Sequence, residues 1–348
     1  MNTTHDSTEK RLLEQSDEVL LVTNKIDCKE EKYVIELLKL KPVFKERIWG
    51  GTTLKDSFGY EIPSEQTGEC WAISAHPNGN STVENGPFEG KELSWLWEHH
   101  RELFGNVSGN CFPLLTKILD AKTDLSVQVH PNDQYAKVNE NGELGKTECW
   151  YIIDCKQDAE MIFGHHAHSK EQLVQMIHSG RWEDLLRRVK IKPGDFFYVP
   201  SGTIHALCEE TLVLETQQSS DTTYRVYDYD RVDQNGEKRE LHLQKAIDVT
   251  TVPDTENKAN LQTEVQDGTK ITTFVEGEYF SVYKWEVTGD YQTERKAPFL
   301  LCSVIKGQGE VTTGQETLPV KKGDHFILTA HTTQLTVSGT LELIVSHP

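Results

Sequence analysis

The sequence predicts a mainly β protein built from two jelly-roll barrels, with short helical insertions in the larger N-terminal half. Three observations carry that expectation. From Tyr33 onward, short apolar runs alternate with turn residues, as in Trp49-Gly50-Gly51, Gly68 to Ser74 and Pro77-Asn78-Gly79-Asn80, which is the texture of closely spaced strands. Helical periodicity interrupts this texture at only two places. Finally, Lys192-Pro193-Gly194-Asp195-Phe196-Phe197 is echoed 129 residues later by Lys321-Lys322-Gly323-Asp324-His325-Phe326, each copy running into an apolar strand. One Gly-Asp turn is commonplace, but two in the same context suggest two barrels of one kind.

Taken in order, residues 1–33 are rich in Glu, Lys, Asp and Thr and read as a polar extension with one short helix around Arg11 to Leu21. Residues 34–255 are predicted to form the first and larger domain, with the helical insertions. Leu93, Leu96, Trp97, His100 and Phe104 recur at helical spacing, so one helix is expected over 93–104. After the strand candidate Tyr151 to Cys155, Ser169 is a candidate N-cap for a second helix with Leu173, Met176 and Ile177 as its apolar stripe. His165, His166 and His168 fall just before it and are expected to be solvated. Strand signals resume at Phe196 to Pro200 and Leu212 to Glu215; residues 233–240 form a polar connection and 254–260 a linker. Residues 256–348 are predicted to be a smaller C-terminal β domain, with strand candidates at 274–275, 280–285, 300–305 and 326–328.

Composition narrows the functional classes. The 348 residues carry 36 Lys plus Arg against 55 Asp plus Glu, a formal net charge of −19, which argues against nucleic acid or an anionic membrane as partner. No run approaches the roughly 18 apolar residues of a membrane span. Met1 to Asp6 lacks the basic start and apolar stretch of a signal peptide, and the seven cysteines are scattered without a CxxC pair. A cytoplasmic location without structural disulfides is therefore expected.

The chemistry concentrates in Gly194 to His205, which reads G-D-x4-P-x-G-x2-H. Gly-Asp makes a hairpin turn, a strand follows, and Pro-x-Gly turns the chain so that His205 faces a barrel mouth. This pattern resembles the second motif of the cupins, which implies that both barrels are cupin-type. Upstream, period-two alternation in Ser126-Val127-Gln128-Val129-His130 puts Ser126, Gln128 and His130 on one face, and the same rule pairs Lys146 with Glu148. His130, Glu148 and His205 then offer two imidazoles and a carboxylate, with Gln128 able to add an amide oxygen. Such a set suits Zn²⁺ with an open position, or Fe²⁺ or Mn²⁺ in a facial arrangement. The C-terminal echo lacks these ligands, so that barrel is a degenerate cupin and the site belongs to the first.

A sharper resemblance rests on Gln128 to Pro131, Lys146 to Glu148, Gly202 to Ala206 and Tyr224 to Asp228, supported by Trp49-Gly50-Gly51, Gly68-Glu69-x-Trp71, Pro113 to Lys117 and Glu215 to Asp221. Together they resemble the type I mannose-6-phosphate isomerases in their compact bacterial form, from about Lys41 to the end. The resemblance implies an aldose-ketose isomerase that interconverts mannose 6-phosphate and fructose 6-phosphate, with one Zn²⁺ per subunit on His130, Glu148, His205 and Gln128. It further implies that Arg225 is the active-site arginine and that Ser126, Lys146 and Arg231 contact the substrate phosphate. Glu215 is implied either as an acid/base group or as a carboxylate that orients a neighbour. A phosphorylated hexose is the expected partner; the oligomeric state is not set by the sequence. A metal-dependent cupin dioxygenase and a non-catalytic sugar-binding cupin are the competing readings.

Overall fold

The computed structural model describes residues 34–232, 236–255, 261–314 and 316–348, so the expectations for residues 1–33, and parts of those for 233–240 and 254–260, lie outside the described residues. Residues 34–348 form one compact unit. Its N-terminal half is two facing antiparallel sheets. The six-stranded sheet runs, in spatial order, Phe196–Val199, Glu148–Cys155, Thr211–Gln218, Leu114–Ala121, Thr67–Ile73 and Val43–Gly51. The five-stranded sheet runs Leu186–Lys190, Glu160–His165, His205–Leu207, Val127–Val129 and Tyr224–Tyr227.

Alternation along each strand decides what faces what. In Thr211–Gln218, Val213 turns into the space between the two sheets, where it meets Trp150, Ile152, Met161, Phe163 and Leu207. Leu212 and Leu214 turn the other way, into a core shared with Cys70, Ile118 and Tyr151 and with Phe274, Phe280 and Ile327 of the C-terminal sheet. The outer face of the five-stranded sheet, including Val127, Val129 and Ala206, is covered by the helices Lys170–His178 and Leu243–Val249 through Leu173, Met176, Ile177, Ala246 and Ile247. The first of these helices starts as expected, with Ser169 Oγ accepting from the Gln172 amide at 3.2 Å.

The nine-stranded C-terminal sheet closes on a separate apolar core that includes Trp285, Val287, Tyr291, Val337 and Leu343. Its composition departs from a division at residue 255. The first described strand, Leu37–Lys41, pairs with His325–Leu328 and so belongs to this sheet. Leu37 buries on the C-terminal core and Leu38 and Leu40 on the shared one. The strand therefore covers with apolar residues an edge that would otherwise expose unpaired backbone groups.

The sequence echo is a structural one. Gly194 and Gly323 both take left-handed φ, 93° and 95°, and in each turn the Asp side chain accepts from the Lys amide three residues earlier, at 3.0 Å for Asp195 and 2.8 Å for Asp324. The helix expected over 93–104 ends at His99 and resumes as a 3-10 turn at Arg101–Phe104. The break carries Phe104 into ring contact with Phe112 and Phe299, at 5.5 and 5.4 Å. His165 departs from its expected solvation: it ends a strand, is buried, and its Nε2 lies 2.9 Å from the Thr251 carbonyl.

Candidate metal centre and active site

The metal-type residues come from three strand ends. His130 follows Val127–Val129, Glu148 opens Glu148–Cys155 and His205 opens His205–Leu207, and all three are fully buried. Each offers one ligand atom, and these atoms lie within 4.8 Å of one another. His130 Nδ1 is 2.9 Å from the Thr222 carbonyl and His205 Nδ1 is 2.9 Å from the Thr203 carbonyl. A carbonyl can only accept, so both Nδ1 atoms carry the proton and both Nε2 lone pairs point inward.

These lone pairs face an acceptor. His205 Nε2 is 3.1 Å from Glu148 Oε1 and His130 Nε2 is 3.5 Å from Glu148 Oε2. Burial, with Lys146 nearby, holds the His130 imidazole well below its ordinary pKa. Burial alone would raise Glu148, yet Lys146 and the two imidazoles hold it well below the carboxylate range. His130 Nε2 and both Glu148 oxygens are shut off from solvent. Lys146 meets only one edge of the carboxylate, and two inward-facing imidazole nitrogens beside a carboxylate oxygen are a donor set that fits a divalent metal. Gln128 lies alongside, its amide nitrogen Nε2 3.3 Å from His205 Nε2.

Beside this group a buried ionic layer extends into the space between the sheets. Lys146 Nζ lies 2.8 Å from Glu148 and 3.8 Å from Glu215, and Lys117 Nζ lies 3.6 Å from Glu215. Burial and the Glu148 charge push Glu215 above its ordinary pKa against the pull of both lysines. Trp150 Nε1 donates to Glu215 at 2.8 Å and Trp71 Nε1 to Glu69 at 2.5 Å, and Arg47 clamps Glu69 at 2.8 and 3.2 Å.

A cavity of about 340 Å³ opens on this layer, within the range of small-molecule sites. Of the residues expected at the site, Ser126, Gln128, Lys146, Glu215 and Arg225 line it. Arg225 sits opposite Gln128 in the strand register and donates to the Glu240 carbonyl at 2.7 Å; its Nε is buried without a partner. Arg231 does not line the cavity. Its guanidinium is held by the Asp228 carboxylate at 2.5 Å and by the Asp124 carbonyl. Sequence reasoning assigned no role to Arg47, Glu69, Lys117, Asp221 or Arg239, which do line it. Alternation carried a signal for Lys117, two residues from Leu119 on the inward face, and none for Arg239, which lies beyond the last strand of the five-stranded sheet.

Fold and site together define a cupin with a buried His-Glu-His group of metal-binding type beside a cavity rich in cationic side chains. Comparison with known proteins makes this specific. Residues 37–154 match the catalytic domain of type I phosphomannose isomerase, and residues 270–348 match the cupin domain of mannose-6-phosphate isomerase. A putative mannose-6-phosphate isomerase of Bacillus subtilis is 64% identical over 308 residues, covering 88% of this chain and 98% of its own. Mannose-6-phosphate isomerase ManA of the same organism is 59% identical over 312 residues, covering 90% and 99%. The crystal structure of a Bacillus subtilis mannose 6-phosphate isomerase superposes with a TM-score of 0.89 at 62% identity, covering 90% of this chain and all of that one. The chain belongs to the type I phosphomannose isomerases.

Proposed function

We propose that this mannose-6-phosphate isomerase, which interconverts mannose 6-phosphate and fructose 6-phosphate, works by transferring a proton between C1 and C2 of the open-chain sugar at a single Zn²⁺ site. His130, Glu148 and His205 would hold the ion, with Gln128 as fourth ligand. A bound divalent ion supplies Lewis-acid polarisation of the carbonyl and stabilises the negative charge that develops on oxygen. The convergence of the buried ligand atoms of His130, Glu148 and His205, all within 4.8 Å of one another, carries this reading.

The chain's own residues divide the remaining work. Arg225, whose Nε has no hydrogen-bond partner among the described residues, adds a guanidinium that stays charged throughout turnover. Glu215 is placed to exchange a proton with the substrate, and Trp150 fixes its carboxylate. Lys146 is already engaged by Glu148 and Glu215, so it serves the sugar oxygens nearest the metal group, and Ser126 offers a hydroxyl on the same wall. Enclosure by Trp49, Leu119 and Leu125 limits water at the reacting carbons.

The test is a coupled isomerase assay on metal-analysed protein. Chelation should abolish turnover and Zn²⁺ should restore it. His205→Ala should lose the metal, whereas Arg225→Ala should keep it and lose about 100-fold in kcat. Metal-replete protein that turned over neither sugar phosphate would refute the reading, as would a fully active Arg225→Ala.

A further inference from the structure

We propose that Arg239, not Arg231, is the arginine that binds the substrate's phosphate, and that Asp228 positions it; this rests on the reading of the cavity as the sugar-phosphate site. Five cationic side chains line that cavity: Arg47, Lys117, Lys146, Arg225 and Arg239. Three are committed elsewhere. Arg47 is clamped on Glu69, and Lys117 and Lys146 are set against Glu215 and Glu148. Arg225 stands opposite Gln128, beside the metal residues.

Arg239 is differently placed. Its Nε and Nη2 donate to the two oxygens of Asp228 at 2.8 and 2.5 Å, and its Nη1 has no hydrogen-bond partner among the described residues. Asp228 is itself buried and also holds Arg231, so one carboxylate neutralises only one of two guanidiniums. Arg225 adds a third cation close enough for Arg239 to be the charge that acts on it most strongly. Glu240 is 84% exposed, and Asp221, which also lines the cavity, accepts from Asn78 at 3.0 Å.

An excess of guanidinium on the wall of a cavity, in a chain of net charge −19, is what a dianionic phosphate requires. One edge of the Arg239 fork is anchored and the other is presented, so little side-chain freedom is lost on binding. Arg231 spends its donors on Asp228 and the Asp124 carbonyl and lies over the Tyr229 ring at 5.2 Å. It acts as a strut for the segment that carries Arg239.

Steady-state kinetics on the full-length, zinc-loaded protein test this, together with calorimetric binding of mannitol 6-phosphate, which has no carbonyl to isomerise. Arg239→Gln should raise KM for mannose 6-phosphate by about 30-fold or more, leave kcat within about threefold and weaken mannitol 6-phosphate in parallel. Arg239→Lys should fall between wild type and Arg239→Gln, and it keeps the test open if the glutamine variant does not fold. Asp228→Asn should raise KM with kcat retained, and Arg231→Gln should leave KM within about threefold while lowering the melting temperature. An unchanged KM in Arg239→Gln, or an equal rise in Arg231→Gln, overturns the assignment while wild type stays active. Wild-type protein that neither turns over nor binds the sugar phosphates would overturn the reading of the cavity, and this inference with it.

Discussion

Replacing Glu148 by Gln removes one charge from a buried set that is balanced as it stands. Lys117, Lys146, Glu148 and Glu215 supply two positive and two negative groups, none more than 6% exposed. Without the Glu148 charge, two ammonium groups share Glu215, at 3.6 and 3.8 Å. Breaking a buried ion pair on one side costs about 3–5 kcal/mol, and the surviving Glu215 contact favours the lower end. Adding Lys146→Met restores one cation to one anion and should recover about 2 kcal/mol of coupling. Denaturant unfolding of chelator-treated wild type, both single variants and the double variant measures that coupling directly. If the double variant loses the sum of the two single losses to within about 0.5 kcal/mol, the layer is not charge-coupled and the reasoning fails. Metal analysis of the untreated proteins should show retention lost in Glu148→Gln as well.

Two further outcomes concern His325 and the paired Gly-Asp turns. His325 is fully buried between Tyr60 Oη at 2.8 Å and Ser303 Oγ at 2.9 Å, and burial pushes its pKa from 6.5 to about 4. The unfolded chain therefore binds the extra proton first as pH falls. The stability that His325 contributes should be complete above about pH 6.5 and lost on the way down to about pH 4, roughly 3 kcal/mol in all. His325→Gln should flatten the pH dependence of unfolding over that window, and an unchanged slope would exclude His325 as its source. At Gly194 a Cβ would meet nothing within 4 Å, whereas at Gly323 it would sit 3.2 Å from the Tyr60 ring. Thermal unfolding should therefore show Gly194→Ala costing about 1 kcal/mol of backbone strain and Gly323→Ala clearly more; equal losses would place the whole effect in the backbone.

Local physics made much of this molecule legible in advance. Strand alternation set Ser126, Gln128 and His130 on one face because a pleated strand has no other choice, and Pro200-x-Gly202 fixed where His205 turns inward. The Ser169 cap and the paired Gly-Asp turns are likewise matters of a few consecutive residues and their own backbone hydrogen bonds. Alternation likewise paired Glu148 with Lys146, and family resemblance then added Arg225, which lines the cavity with Ser126, Gln128 and Lys146.

What sequence could not decide depends on partners far apart in the chain. Nothing local assigns Leu37–Lys41 to a sheet whose neighbouring strand begins at His325, because an alternating apolar strand fits either barrel equally. Nor does a spacing rule choose between Arg231 and Arg239, which are equally charged and eight residues apart. Asp228 and the Asp124 carbonyl make that choice by satisfying one guanidinium and leaving an edge of the other at the cavity. The sequence by itself determined which side chains could bind a metal and on which face each would lie. Tertiary structure alone decided which charges are already neutralised inside the protein and which remain for a ligand, because neutralisation depends on distances between groups that the chain does not hold together.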